Sequence, residues 1–227
     1  VYTVTPTRST GLTSPNPTTC SGTPFTITVT VKPEPVVTAQ TANTCSDVAL
    51  NLSLSTLISG TGDTYTYTVV SSDPTNVAPG ADHTSASALN ITDAYTNLTG
   101  AAVTITYTVT PIGANGCAGN DFTYTVTVSP EPIVANQAAT ICSDAALNLS
   151  LATLISGTGD TYSYTVSSNN AGVTAASART TASAAAITDT YTNTTGSDVL
   201  ITYAVTPIAA PVGVNSCPGD IFNYVVT

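Results

Sequence analysis

The chain has 227 residues, with 3 Lys+Arg against 13 Asp+Glu, 1 His, no Met or Trp, and a formal net charge of −10. So few basic groups exclude nucleic acid and anionic membrane surfaces as partners, and the scarcity of His and Lys removes most acid–base and nucleophilic chemistry. Roughly one residue in five is Thr, far above the usual background, and 42% of the chain is hydrophobic; this is a β-forming vocabulary with enough apolar material for packed cores.

The opening VYTVTPTRST has neither the basic nor the apolar region of a secretory leader, and no run approaches the 18 apolar residues of a membrane span. The chain therefore reads as a mature product or as a window cut from something longer. Its organisation is tandem. VKPEPVVTAQTANTCSDVALNLSLSTLISGTGDTYTYTV, from Val31, is nearly identical to VSPEPIVANQAATICSDAALNLSLATLISGTGDTYSYTV, from Val128, and Ile91-Thr-Asp-Ala-Tyr-Thr-Asn97 recurs as Ile187-Thr-Asp-Thr-Tyr-Thr-Asn193. A period of about a hundred residues marks a repeat array. The first residues match only the end of the unit: Tyr2-Thr-Val-Thr-Pro6 corresponds to Tyr107–Pro111, and Cys20 with Phe25 to Cys117 with Phe122. In the last repeat Ala209 to Val214 lengthens a loop. Pro33-Glu-Pro35 and Pro130-Glu-Pro132 each follow a strand-like run; paired prolines stop sheet pairing and favour an extended, stiff joint. The expected units are 1–34, the closing hairpin of a truncated first module, and complete modules at 35–131 and 132–227.

Within a module apolar residues alternate with polar ones, Thr above all. Leu50, Leu52 and Leu54, then Tyr65, Tyr67 and Val69, then Val103, Ile105, Tyr107 and Val109, then Phe122, Tyr124, Val126 and Val128 point inward, leaving the polar residues between them solvated. Half-buried antiparallel strands separated by Gly, Asn, Asp and Pro turns predict an all-β chain of tandem seven-stranded immunoglobulin-like sandwiches.

The CSD…LNLSL start, the TYTVTP close with Cys and Phe five residues apart, and the PEP joint resemble the PKD-like or Ig-like tandem modules of large secreted Bacteroidota cell-surface proteins of the gliding-motility-adhesin type, exported by type IX secretion. That resemblance covers the whole chain. It implies an extracellular stalk or adhesin with no catalytic residues and no cofactor; the sorting domain usual in such proteins is absent from this sequence.

The lone His83 has no partner of the type nucleophilic catalysis requires and no His at its counterpart in Ala175–Thr181, so a solvent-exposed loop is expected for it. Lys32 is replaced by Ser129 in the next repeat, which excludes a Lys crosslink in every module. The recurrent acids Asp47/Asp144, Asp63/Asp160 after Gly62/Gly159, Asp93/Asp189 and Asp121/Asp220 lack the close spacing of a calcium loop. Capping of turns is expected of them, with Asp93, Asn97, Asp189 and Asn193 the best calcium candidates. The Thr ladders admit ice or polysaccharide binding, but a twisted sandwich sheet opposes a flat lattice match, and the inward Tyr65, Tyr67, Tyr107 and Tyr124 are core before they are a sugar platform.

Five Cys without a CxxC pair point to an oxidising compartment, extracellular or at the cell surface, and to disulfides. Each unit has an early Cys (Cys45, Cys142) and a late one (Cys20, Cys117, Cys217). Loop-closure entropy favours intramodular bridges, Cys45–Cys117 and Cys142–Cys217, with Cys20 paired outside the segment. Pairing across the joint (Cys20–Cys45, Cys117–Cys142) and a staple between adjacent modules (Cys45–Cys217) remain open. The expected partners are neighbouring modules of the chain, further copies in an oligomer or filament, and a surface or polysaccharide ligand.

Overall fold

A computed structural model describes residues 1–9, 19–57, 63–151, 154, 160–209 and 216–227. The Gly62/Gly159 turns and the 210–214 insertion lie outside these residues. The chain divides into two compact units, Val1–Glu34 and Pro35–Thr227.

In Val1–Glu34, β1 (Tyr2–Val4) pairs antiparallel with β4 (Phe25–Ile27), and β2 (Thr7–Ser9) with β3 (Thr19–Ser21). Pro6 interrupts the ladder because it lacks an N–H, and the Gly22 N–H donates to the Pro6 carbonyl at 2.8 Å to hold the bend.

Pro35–Thr227 contains both complete repeats, each with its own core. The first is built on β5 (Gln40–Cys45), β6 (Thr64–Ser71), β7 (His83–Ser87), β8 (Val103–Ile112) and β9 (Phe122–Ser129), in the order β5-β9-β8-β6-β7. The second uses β10 (Gln137–Ala139), β11 (Thr161–Ser168), β12 (Arg179–Ser183), β13 (Ile201–Ala209), β14 (Cys217–Pro218) and β15 (Phe222–Val226), in the order β10-β15-β13-β11-β12 with β14 beside β13. The period-two pattern holds best on β8, where Val103, Ile105, Tyr107 and Val109 are buried and every intervening residue is half-buried. Each such Val or Ile contributes about 1.5–3 kcal/mol by leaving water.

Two details differ from the sequence reading. The sheets are not wholly antiparallel: β5 runs parallel to β9 from Gln40↔Tyr124 to Cys45↔Ser129, and β10 runs parallel to β15. Nor are there seven regular strands per repeat among the described residues. The layer facing the sheet is a short 3-10 turn, Leu54–Thr56, and segments joined by isolated bridges, Leu52↔Ile91 in one repeat, Ala146↔Thr190 and Leu149↔Ile187 in the other. It is held by a few backbone bonds, such as Leu50 N–H to the Asp93 carbonyl and Leu149 N–H to that of Ile187, and by apolar contact, because Leu50, Leu54, Ile91 and Tyr95 all enter the first core and Leu149, Leu151, Ile187 and Tyr191 the second. The architecture remains an all-β tandem of Ig-like sandwiches. Among the described residues no helix is long and apolar enough to cross a membrane.

Candidate functional site at the joint between the repeats

The parallel course of β5 brings the CSD segment to the place where β9 runs out. Asp47 there takes a left-handed backbone (φ 60), which Asp tolerates better than most residues. Its N–H donates to the Tyr95 carbonyl at 2.8 Å and its carboxylate accepts from the Thr96 hydroxyl at 2.5 Å, fixing the 95–97 loop. The Ser46 hydroxyl accepts the Asn97 N–H at 2.8 Å and donates to Glu131 Oε1 at 3.2 Å, while the Ser46 N–H donates to the Ser129 carbonyl and the Glu131 N–H to that of Asn97. Asn97 completes the knot by donating Nδ2 to the Ala101 and Val128 carbonyls, both at 2.8 Å. Ser46, Asn97, Ser129 and Glu131 are all buried. Burial raises the Glu131 carboxyl above the usual value of 4.5, and the neighbouring Asp47 charge pushes in the same direction. Asp220, from the second repeat, adds to it.

The joint is also covalent, and its bond corrects the expected pairing. Cys45 is joined to Cys217 with a Cα–Cα distance of 5.4 Å, while Cys20, Cys117 and Cys142 are free thiols. The intramodular bridges Cys45–Cys117 and Cys142–Cys217 fail on topology. Cys45 ends β5 beside Ser129, at the exit of β9, whereas Cys117 precedes the start of β9 at Phe122. A strand of that length spans about 25 Å, several times the reach of a disulfide. Cys142 and Cys217 are separated in the same way by β15. Loop-closure entropy, the argument used for the shorter ring, favours the observed one still more, because its sequence separation is 172.

Two glycines complete the joint, and the sequence reading passed over them. A Cβ on Gly219 would run into the carbonyl oxygen of Pro132, and one on Gly119 into that of Pro35. Each therefore lets a linker proline lie directly against the turn that carries the late Cys. The signal was present: Cys20-Ser-Gly22, Cys117-Ala-Gly119 and Cys217-Pro-Gly219 each precede a Phe by the same spacing.

The PKD-like domain family matches this chain twice, at residues 42–132 and 139–227. The chain belongs to that family. No curated protein matches it. Similar solved structures include protocadherin gamma B2 extracellular cadherin domains 3–6 (13% identity, TM-score 0.30, covering 92% of this chain and 56% of that one). The protocadherin gammaB4 extracellular domain is similar at 12% identity and TM-score 0.30, covering 92% and 37%. The gammaB7 EC3-6 cis-dimer structure is similar at 13% and 0.30, covering 93% and 56%. The chain thus spans about half the length of these structures or less. None of these matches indicates an enzyme family.

The calcium candidates of the PKD-like repeats are occupied with protein contacts. Asp93 Oδ2 accepts from the Tyr107 hydroxyl at 2.7 Å and the Tyr95 hydroxyl at 3.2 Å, and those two hydroxyls are 2.6 Å apart. In the second repeat Tyr203 donates to Asp189 at 2.7 Å with Tyr191 2.6 Å from Tyr203. Asn97 and Asn193 instead order turns, their Oδ1 atoms accepting the N–H and hydroxyl of Thr99 and Thr195. Among the described residues no group of three or more His, Cys, Asp or Glu is placed to hold a metal. Burial pushes the Tyr107 and Tyr203 hydroxyls far above their ordinary range and Tyr95 up to about 12. Tyr65 and Tyr107 are core, as expected of inward tyrosines, while Tyr67 and Tyr124 are half-buried against it. His83 is not in a loop: it opens β7, stacks on Tyr67 at 5.3 Å and meets Ser87 Oγ at 2.8 Å. Its counterpart is Arg179, whose guanidinium lies 5.0 Å from the Tyr164 ring.

Proposed function

We propose that this PKD-like array is a non-catalytic, disulfide-stabilised spacer in an extracellular cell-surface adhesin or stalk, with modules at 35–131 and 132–227 and the closing hairpin of another at 1–34. The observation that carries this reading is the Cys45–Cys217 bond through the joint. A bond between neighbouring repeats stiffens the array rather than a single core, and disulfides persist in oxidising surroundings. The low content of charged catalytic groups fits a mechanical task, and reach grows with the number of repeats. Calcium has no part in this reading.

A filament is the second reading, favoured by one observation. Phe25 is exposed in the 1–34 unit, whereas its counterparts Phe122 and Phe222 are buried, and an apolar strand pair of this kind accepts strands from another chain. Electron microscopy of the native material, with the mass of its intact polypeptide, separates the two. One very long chain beaded at the repeat spacing supports the stalk; short chains joined end to end into uniform fibres replace it with the filament. A polysaccharide ligand on the Thr face is supported by nothing comparable.

A further inference from the structure

The two repeats present the same constellation at the same end, once closed and once open. In the first, Cys45-Ser46-Asp47 and the 95–97 loop receive the turn of Cys217. In the second, Cys142-Ser143-Asp144 and the 191–193 loop are already arranged alike: Asp144 is left-handed (φ 65), its N–H donates to the Tyr191 carbonyl at 2.8 Å, the Thr192 hydroxyl donates to its carboxylate at 2.5 Å, and the Asn193 N–H donates to Ser143 Oγ at 2.9 Å. The socket is thus built before it is filled. Cys142 is exposed and free.

We propose that Cys142 is the first half of a second staple, closing on the thiol of the Cys-x-Gly-x-x-Phe turn of a further PKD-like module that follows it in the polypeptide. Cys117, whose Gly119 already lies against Pro35 as Gly219 lies against Pro132, is by the same geometry the second half of a staple with the module before it. The result is a chain of bonds, each joining the early Cys of one module to the late Cys of the next, with no bond inside a module. Two thiols lose two protons and two electrons in forming each bond; a small disulfide such as oxidised glutathione takes them up and leaves as two thiols. The inference is independent of whether the array serves a stalk or a filament.

The test is a lengthened chain in which residues 128–227 are repeated after Thr227, so that the appended Cys217 is offered to Cys142. It is made in an oxidising compartment and mapped by peptide mass without reductant. The expected result is a peptide joining Cys142 to the appended Cys217, with Cys45–Cys217 retained, and Cys142→Ser leaving the appended thiol open to alkylation. Cys142 fully alkylated beside an intact Cys45–Cys217 bond overturns the proposal, as does Cys142 joined to either Cys within its own or the preceding repeat. Should the lengthened chain fail to form Cys45–Cys217, the unlengthened chain is oxidised at high concentration instead. Joining of Cys142 to the Cys117 or Cys20 turn of a second copy then supports the proposal, and a free Cys142 or Cys142–Cys142 pairing overturns it.

Discussion

The joined end of the first repeat and the open end of the second are built from nearly the same residues and differ in burial at the cysteine, the serine and the asparagine. Ser46 is 5% exposed and Asn97 0%, whereas Ser143 is exposed and Asn193 half-buried. The hydrogen bonds inside the loop are the same at both ends: Asn97 N–H to Ser46 and Asn193 N–H to Ser143, with Thr96 and Thr192 each donating to an Asp. What differs is what arrives from outside, namely the Ser129 carbonyl, the Glu131 carboxylate and the Cys217 sulfur. Local sequence therefore sets the shape of the socket, and the linker at 129–131 together with the Cys217 turn of the next repeat covers it.

The largest expected effect follows from undoing that difference. Cys45→Ser or Cys217→Ser opens a ring with a sequence separation of 172, for which the chain-entropy relation gives about 5 kcal/mol. Calorimetry is expected to show a lower Tm and a melt that separates toward two transitions. Amide exchange at Asn97 should rise toward that of Asn193. A variant with unchanged Tm and unchanged Asn97 protection would mean that the hydrogen bonds alone close the joint.

Inside the cores the two repeats differ in a smaller way. Asp93 accepts from both Tyr107 and Tyr95, while Asp189 is held by Tyr203. Tyr203→Phe is therefore expected to cost about 3 kcal/mol, and Tyr107→Phe about 1–2 kcal/mol because Tyr95 still reaches the acid; equal losses by urea denaturation would refute the distinction. The same hydroxyls set an alkaline limit. Burial raises Tyr95 from 10.0 to about 12, the Asp93 charge adding to the rise and the bond to Tyr107 opposing it. The stability from the neutral phenol is complete below 10.0 and is lost as pH climbs through 12, so phenolate absorbance and unfolding should appear together there.

Much of the fold was legible because duplication and a period of two are both local. The inward residues of β8 and β9 follow from alternation alone, and the early and late cysteines from repeat alignment. Their partners were not legible, because the parallel pairing of β5 with β9 is a long-range choice that no residue of Gln40–Cys45 announces. His83 and Arg179 fall opposite Tyr67 and Tyr164 through irregular registers, between Tyr65 and Tyr67 and between Tyr162 and Tyr164, so alternation could not place them. Asp93 looked like a turn acid because its tyrosine partner arrives from β8, across the core.

The reason Asp189 has lost its second tyrosine can be tested by exchanging one methyl group. A Cβ on Gly80 would stand 2.5 Å from Asp93 Oδ2 and 3.0 Å from the Tyr95 hydroxyl, and the second repeat carries Ala176 at the matching position. Gly80→Ala should convert the first network into the second, at about 1 kcal/mol for the crowding, and make the Tyr107→Phe loss as large as that of Tyr203→Phe. Additive losses in the double variant would show that the methyl is not what parts the tyrosine from the acid.

The smallest effect belongs to Glu131, and its sign runs against intuition for a surface acid. Its carboxyl is raised above 4.5 first by burial in the joint and then by the Asp47 charge, the hydrogen bond from Ser46 opposing both. A raised acid favours its neutral form in the folded protein, so its contribution is complete below 4.5 and is lost as pH rises through the raised value. The joint should accordingly be tightest on the acid side of that window and looser at neutral pH. Glu131→Gln keeps an acceptor for the Ser46 hydroxyl and removes the charge that Asp47 and Asp220 repel. It is expected to raise the neutral-pH Tm by a small amount and to flatten the dependence between pH 4.5 and 7, while leaving the isolated thiol Cys142 as reactive as before. A variant that melts lower at pH 7 would mean that the carboxylate is held as an anion by the donors of the joint, and that the joined end gains stability from its charge rather than in spite of it.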